Sequence, residues 1–257
     1  MRQKEHHRRA QLRNEPGYFD PDSDLFVMTE KYLRSRGHCC GNGCRHCPYG
    51  RNVVETCQTD VVELRLPAHL PTLPDHPLVL FWSGGKDSYL ALLKLLDTET
   101  NIVLFTTYAN GVVGHQDINI DVIKRQARHL QLPLLLTPLK HQTRYEVVVS
   151  EALSLINPRG LAFGDLHLAG IRQWREEHFA NHALHFPVWN VNYQTLFEVL
   201  DGHPGRIKIS ALGDTFPDDC PIEVGDSYTR ATANVLEDWA LDAFGERGEF
   251  HTVVEFW

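Results

Sequence analysis

Residues 81–90 read FWSGGKDSYL. The apolar run PLVLFW (77–82) precedes the glycines, and DSYLALLKLLD (87–97) follows with apolar residues at helical spacing. This pattern predicts a buried strand, a tight turn and a helix. Such a turn suits an anion, because the first N–H groups of a helix lack intrahelical acceptors and the helix dipole favours negative charge there. Gly84 and Gly85 have no Cβ, so the backbone can turn sharply and approach a phosphate. Ser83 and Ser88 offer hydroxyls, and Lys86 offers positive charge. Asp87 can cap the helix or hold Mg²⁺. The pattern G-x-x-x-x-G-K-[ST] is absent, so this is not a Walker A loop.

Two later stretches carry acids. LAFGDLHL places Gly164 and Asp165 at the end of an apolar run, and GERGEFHT places Glu246 and Glu249 in a glycine-flanked turn followed by His251. Paired carboxylates beside a phosphate site suit Mg²⁺ binding or capture of an amine nucleophile. His115, after the second strand, is a candidate nucleotide contact. A separate cluster, HCCGNGCRHCPYG (38–50), holds Cys39, Cys40, Cys44 and Cys47, with Cys57 downstream. The spacing Cys40-x3-Cys44-x2-Cys47 suits tetrahedral Zn²⁺, which would staple a segment too small for its own core. A three-thiolate [4Fe–4S] cluster fits the same spacing; redox-active thiols are the third reading. Structural zinc is favoured. Cys220, far along the chain, is expected to be an ordinary thiol.

The elements that must position these groups alternate. Strands are expected at PLVLFW, NIVLFTTY, LPLLLTPL, LAFGD, GRIKISALG and FHTVVEFW. Helices are expected at DSYLALLKLLD, INIDVIKRQARHLQ, RYEVVVSEALSLI, LAGIRQWREEHFANHAL, FEVLD and TRATANVLEDWALDAF. This alternation predicts an α/β fold, a parallel sheet with helices on both faces and ligands at the carboxyl ends of its strands. The domains read as a Cys-rich basic module (1–65), a proline-rich linker (66–76) and a nucleotide-binding domain (77–257). Within the module, residues 1–24 read as a polar lead-in, and LFVMTEKYLRSR (25–36) as a short strand or helix.

Charge is uneven. Residues 1–51 carry ten Lys/Arg against six Asp/Glu; the remainder carries 15 against 27. The acidic body argues against a broad nucleic-acid face there. The basic lead-in is expected to be a solvated, partly disordered arm, with contact to tRNA or an acidic partner as the alternative. No apolar run reaches the roughly 18–20 residues that span a bilayer. The N-terminus has charge but no apolar h-region, which points to the cytoplasm and against disulfides.

In its strand–turn–helix setting, SGGKDS resembles the PP-loop of the ATP pyrophosphatases, which cleave ATP to AMP and pyrophosphate. That resemblance implies an adenine-nucleotide α-hydrolase-like fold, ATP and Mg²⁺ as ligands, and adenylation of an acceptor before attack by a nitrogen or sulfur nucleophile. Taken with the GD strand end, FPVWN and GERGEFHT, residues 77–257 resemble the diphthine–ammonia ligase family. Ala243-Phe244 stand where that family carries Pro-Cys. By position, the resemblance assigns ATP binding to Ser83, Gly84, Gly85, Lys86, Asp87 and Ser88. It assigns the acceptor side to Gly164, Asp165, Glu246, Glu249 and His251. Lys86, Asp87, Asp165, Glu246 and Glu249 would carry catalysis. The implied acceptor is a small-molecule or protein-borne carboxylate, and the donor ammonia or an amine. A tRNA-thiolating enzyme with an iron–sulfur cluster on the N-terminal cysteines is the alternative, followed by a non-catalytic ATP sensor. The cysteine segment itself is similar to a small module, CCGxGCxxCPY, found alone or fused to enzymes.

Overall fold

The computed structural model describes residues 2–20, 26–35, 44–48, 62–114, 116–139, 144–203 and 205–257. The chain divides into two compact units, Met1–Asp60 with Leu139–Glu151, and Val61–Pro138 with Ala152–Trp257.

In the first unit, helix α1 (Arg2–Leu12) leads into strand β1 (Gly17–Phe19), which pairs antiparallel with β2 (Phe26–Met28); helix α2 (Glu30–Ser35) follows. The lead-in is therefore more ordered than its polarity suggests. Arg, Gln and Lys are good helix formers, Glu5 and Arg9 pair one turn apart, and Ala10 is buried. Thr29 is fully buried and donates its hydroxyl to the Glu15 and Pro16 carbonyls. Asp20, also buried, pairs with Arg45 at 2.7 Å. Both the strand and the helix readings of 25–36 hold, in succession.

The second unit opens with β3 (Glu63–Arg65). It continues through β4 (Leu78–Phe81), α3 (Lys86–Leu96), β5 (Ile102–Tyr108), the two-residue strands β6 (Val112–Val113) and β7 (Ile118–Asn119), α4 (Ile120–Leu130) and β8 (Leu134–Pro138). Helix α5 (Tyr145–Ser154) falls mostly within the first unit's second segment. Then come β9 (Gly160–Ala162), α6 (Ala169–His178), β10 (Leu184–His185), α7 (Tyr193–Asp201), β11 (Arg206–Leu212), α8 (Arg230–Asp238) and β12 (Phe250–Glu255). Six strands form one sheet in the order β10-β9-β4-β5-β8-β3, parallel except for β3 at its edge. Leu78, Val79, Leu80, Leu104 and Leu134 are fully buried, as expected for strands covered on both faces by helices.

This is the expected α/β architecture, and its winding locates a site. From β4 the chain builds outward to β5 and β8, then returns to the other side of β4 with β9 and β10. The strand order thus reverses between β4 and β9, and the crevice at their carboxyl ends is where such sheets bind ligands. SGGKDS follows β4, and Gly164–Asp165 follow β9.

Three expectations differ. The last two strands do not extend the sheet: β11 and β12 form a separate antiparallel ribbon, with a register shift between Ile209 and Ala211. The helix expected through Phe244 ends at Asp238, because Ala240 takes a left-handed φ of 56° and the Leu241 N–H turns back to the Leu236 carbonyl. No glycine or proline announces that stop. The helix expected through Leu184 ends at His178, and Leu184–His185 become the edge strand. Among the described residues no helix is long and apolar enough to cross a membrane.

Candidate active site

The phosphate-type loop leaves β4 while still paired. The Trp82 N–H donates to the Phe105 carbonyl at 2.8 Å, and the Thr106 hydroxyl donates to the Trp82 carbonyl at 2.6 Å. Gly84 has a φ of +82°, and a Cβ there would lie 2.5 Å from Ile123 Cδ1, so neither the turn nor the packing admits a side chain. Gly85 is the N-cap of α3 and brings no side-chain cap. Ser83 Oγ accepts the Gly85 N–H at 3.3 Å, and Ser88 Oγ donates to the Gly85 carbonyl at 3.0 Å. The Lys86 N–H donates to Thr252 Oγ1, on β12, at 3.0 Å.

A buried glutamine clamps this loop. Gln126 Nε2 donates to the carbonyls of Gly84 (2.9 Å) and Val254 (2.8 Å), while its Oε1 accepts the Trp82 indole N–H at 2.8 Å. The Val254 N–H also donates to the Gly84 carbonyl. The loop is therefore fixed between α4 and β12.

Lys86 points inward. Its ammonium lies 2.6 Å from the Phe244 carbonyl and 3.0 Å from Asp87, within 5.2–5.7 Å of the ring centres of Tyr228, Phe244 and Phe250. The residue is 2% exposed. A charge so enclosed survives by pairing, so Lys86 anchors Asp87 and the segment leading to the acidic turn.

Gly164 makes the approach of β9 to α3 possible: a Cβ there would sit 2.6 Å from the Asp87 backbone carbonyl. Asp165 next to it is held bidentately by Arg175, at 2.5 and 2.9 Å, and the Arg175 guanidinium lies 4.1 Å over the Phe163 ring. In the GERGEF turn, the buried Glu249 accepts the N–H groups of Asp242 and Arg247, both at 3.0 Å. Both of its oxygens are thus engaged in shaping the turn. Asp242 Oδ1 accepts the Phe244 and Glu246 N–H groups, and Tyr193 donates its hydroxyl to both Asp242 oxygens at 3.0 Å. His251 stands on β12 opposite Ala211.

Four carboxylates feel one another here. Burial raises the Asp87 carboxyl, against the pull of Lys86, and Asp165 adds to the rise. Glu246 is pushed up to about 7, first by burial, then by Asp87, with Asp242 and Asp165 adding and Lys86 opposing. Burial and the neighbouring Asp242 also raise the Tyr193 hydroxyl. An acidic pocket that retains protons is one a cation would relieve. Among the described residues no group of three His, Cys, Asp or Glu side chains forms a metal site of its own.

The structure thus brings Ser83–Ser88, Gly164, Asp165 and the Glu246 turn to one crevice. His115, Cys39, Cys40 and Cys57 lie outside the described residues. Cys44 and Cys47 fall on a turn closed by the Cys47 N–H on the Cys44 carbonyl at 3.1 Å. In the same segment His46 lies 2.8 Å from the Tyr18 hydroxyl and stacks on His7 at 3.5 Å. Sequence reasoning missed Gln126, Asp242, Tyr193, Thr252 and Arg175. Gln126 left one trace, a polar side chain on the apolar face of α4 (Ile123, Ala127); the others were unremarkable polar residues whose roles depend on partners far along the chain.

A family described as being of unknown function, DUF5522, matches residues 6–53. Among solved structures, that of a predicted subunit of tRNA methyltransferase from Methanocaldococcus jannaschii is 16% identical, over 69% of this chain and 95% of that one, with a TM-score of 0.39. At that level the likeness carries no functional argument.

Proposed function

We propose that the second unit is an ATP-dependent ligase that adenylates a carboxylate acceptor and joins ammonia or an amine to it. One observation carries the reading: the SGGKDS turn lies at the strand-order reversal of a parallel sheet, with Asp165 and the Glu246 turn in its electrostatic neighbourhood. In the first step an acceptor carboxylate oxygen attacks the α-phosphorus of ATP and pyrophosphate leaves. In the second, the amine nitrogen attacks the acyl carbon, AMP leaves, and the nitrogen's proton passes to a base.

The loop backbone from Ser83 to Ser88 would bind phosphate oxygens, with Gly84 permitting the approach. Asp87 and Glu246 would hold Mg²⁺, which when bound offsets phosphate charge as it develops. Glu246, raised to about 7 by burial and the Asp87 charge, would give up its proton as Mg²⁺ binds, and solvent water would take the proton from the amine. Lys86, Gln126 and Glu249 act as positioning residues behind the loop and the turn. Cys44 and Cys47 in the first unit would supply two ligands to a structural zinc.

The test is conversion of ATP to AMP and pyrophosphate by the full chain with candidate carboxylates and ammonium. Asp87→Asn and Glu246→Gln should abolish it. If no acceptor supports AMP formation while ATP still binds, the ligase reading fails and the sensor reading gains. Metal analysis after anaerobic purification should find zinc; iron with labile sulfide would instead support sulfur transfer to tRNA.

A further inference from the structure

We infer that Tyr193 is a positioning residue for the proposed reaction: standing at the entrance of α7, it ties the Glu246 turn to the Asp165 arm of the crevice. Contacts on both sides make the tie. Towards the turn, the Tyr193 hydroxyl donates to both Asp242 oxygens at 3.0 Å. Asp242 Oδ1 in turn accepts the Phe244 N–H at 2.8 Å and the Glu246 N–H at 3.3 Å. The Tyr193 ring also packs on Phe244, with ring centres 4.3 Å apart. Towards the other arm, the same ring lies 5.9 Å from His167 at 43°. Three residues before Tyr193, the Asn190 N–H donates to the Leu166 carbonyl at 2.7 Å. Leu166 and His167 directly follow Asp165.

The turn needs such a tie. Gly245 and Gly248, which enclose Glu246 and Arg247, have φ of +70° and +84°. Glycine restricts the backbone least, so hydrogen bonds must hold these residues in place. Two carboxylates do so locally. Asp242 accepts the Phe244 and Glu246 N–H groups, and Glu249 accepts those of Asp242 and Arg247. This mesh shapes the turn but does not place it. Placement comes from other elements, among them the Lys86 ammonium on the Phe244 carbonyl at 2.6 Å and the Tyr228 hydroxyl on the Ala243 carbonyl at 2.7 Å. Those two hold residues 243 and 244. Tyr193 acts closer to Glu246, through the carboxylate that holds the Glu246 N–H.

The anchor is itself fixed. The Asn192 side chain caps α7 by accepting the Thr195 N–H at 2.9 Å. The phosphate-type loop is secured separately, by Gln126 on the Gly84 carbonyl and by Thr252 on the Lys86 N–H. Loss of the Tyr193 hydroxyl should therefore loosen the acidic turn and leave the loop as it is. Displacing a reacting group by about an ångström can cost roughly a hundredfold in rate; with the ring still packed, a smaller loss is expected.

The test compares the full parent chain with Tyr193→Phe, which keeps the ring against Phe244 and His167 and removes the bonds to Asp242. Hydrogen exchange, read by mass spectrometry, should quicken roughly tenfold in peptides spanning 242–249 and stay unchanged in those spanning 83–88. In AMP formation, kcat should fall roughly tenfold while KM for ATP stays within about twofold. Asp242→Ala should act in the same direction, and the double variant should lose no more than Asp242→Ala alone, because both residues work through one network. What the tie does rests on the ligase reading; that the tie exists does not. A parent chain that binds ATP but forms no AMP sinks the ligase reading, and the exchange measurement still decides on Tyr193. Unchanged exchange at 242–249 overturns the assignment, as does equal quickening at 83–88, which marks general loosening. A kcat unmoved by faster exchange, a change in KM alone, or losses that multiply in the double variant also overturn it.

Discussion

Glu246 offers the sharpest handle on the acidic crevice. Its carboxyl is raised from 4.5 to about 7, chiefly by burial and the Asp87 charge. In an unfolded chain Glu246 ionises near its ordinary value, whereas the folded protein keeps the proton until near neutrality. Between those values the folded state binds more protons than the unfolded one, so stability falls as pH rises through that window. A rise of this size corresponds to about 3 kcal/mol for a fully enclosed group. Glu246 keeps partial contact with water, and solvent screening reduces this to roughly 1–2 kcal/mol. Glu246→Gln removes the titration. The variant's stability advantage should therefore grow by roughly 1–2 kcal/mol between pH 5 and 8, about 3–6 °C in melting temperature for a unit of this size. Mg²⁺ should stabilise the parent protein most at the alkaline end of that range, by taking over the charge the proton had neutralised. Thermal unfolding at half-unit pH steps, with and without Mg²⁺, measures both. A melting difference that stays flat with pH, or shrinks as pH rises, would refute the assignment of a strained carboxylate in the crevice.

Substitutions at four further positions test the frame around it. Gln126→Leu orphans the Trp82 indole N–H and removes one donor each from the Gly84 and Val254 carbonyls; it should cost about 2–4 kcal/mol in urea unfolding and weaken ATP binding by calorimetry. Gly84→Ala combines a left-handed φ with a clash against Ile123 and should abolish ATP binding. Gly111→Ala, at a similar φ of +79° but in open space, should cost about 1 kcal/mol and leave ATP binding intact. Arg175→Leu strips Asp165 of its bidentate partner and should destabilise by about 1–3 kcal/mol, while Arg175→Lys recovers part of that loss.

The runs 78–81, 102–108 and 134–138 were legible as strands because a strand buried on both faces must be apolar throughout. The turn at SGGKDS between β4 and α3 was legible because two glycines interrupt an apolar run and a helical spacing follows them. The end of α8 was not, because Ala240 is held left-handed by the turn that follows it, and alanine signals no stop. The roles of Lys86 and Glu249 were also hidden. Both looked like reactive groups in the sequence, and both are enclosed, one by the Phe244 carbonyl and the rings of Tyr228, Phe244 and Phe250, the other by two backbone N–H groups. Local spacing by itself determined which chemical groups this protein has and the period of the elements that carry them. Tertiary structure alone decided which groups meet, because the pairing of β4 with β9 brings residues 87 and 165 together, and the β11–β12 ribbon, bonded to the loop through Thr252 and Val254, brings the turn of residue 246 to them. It also decided which of them stay ionised, because burial and mutual repulsion, absent from an extended chain, set the charge that each can keep.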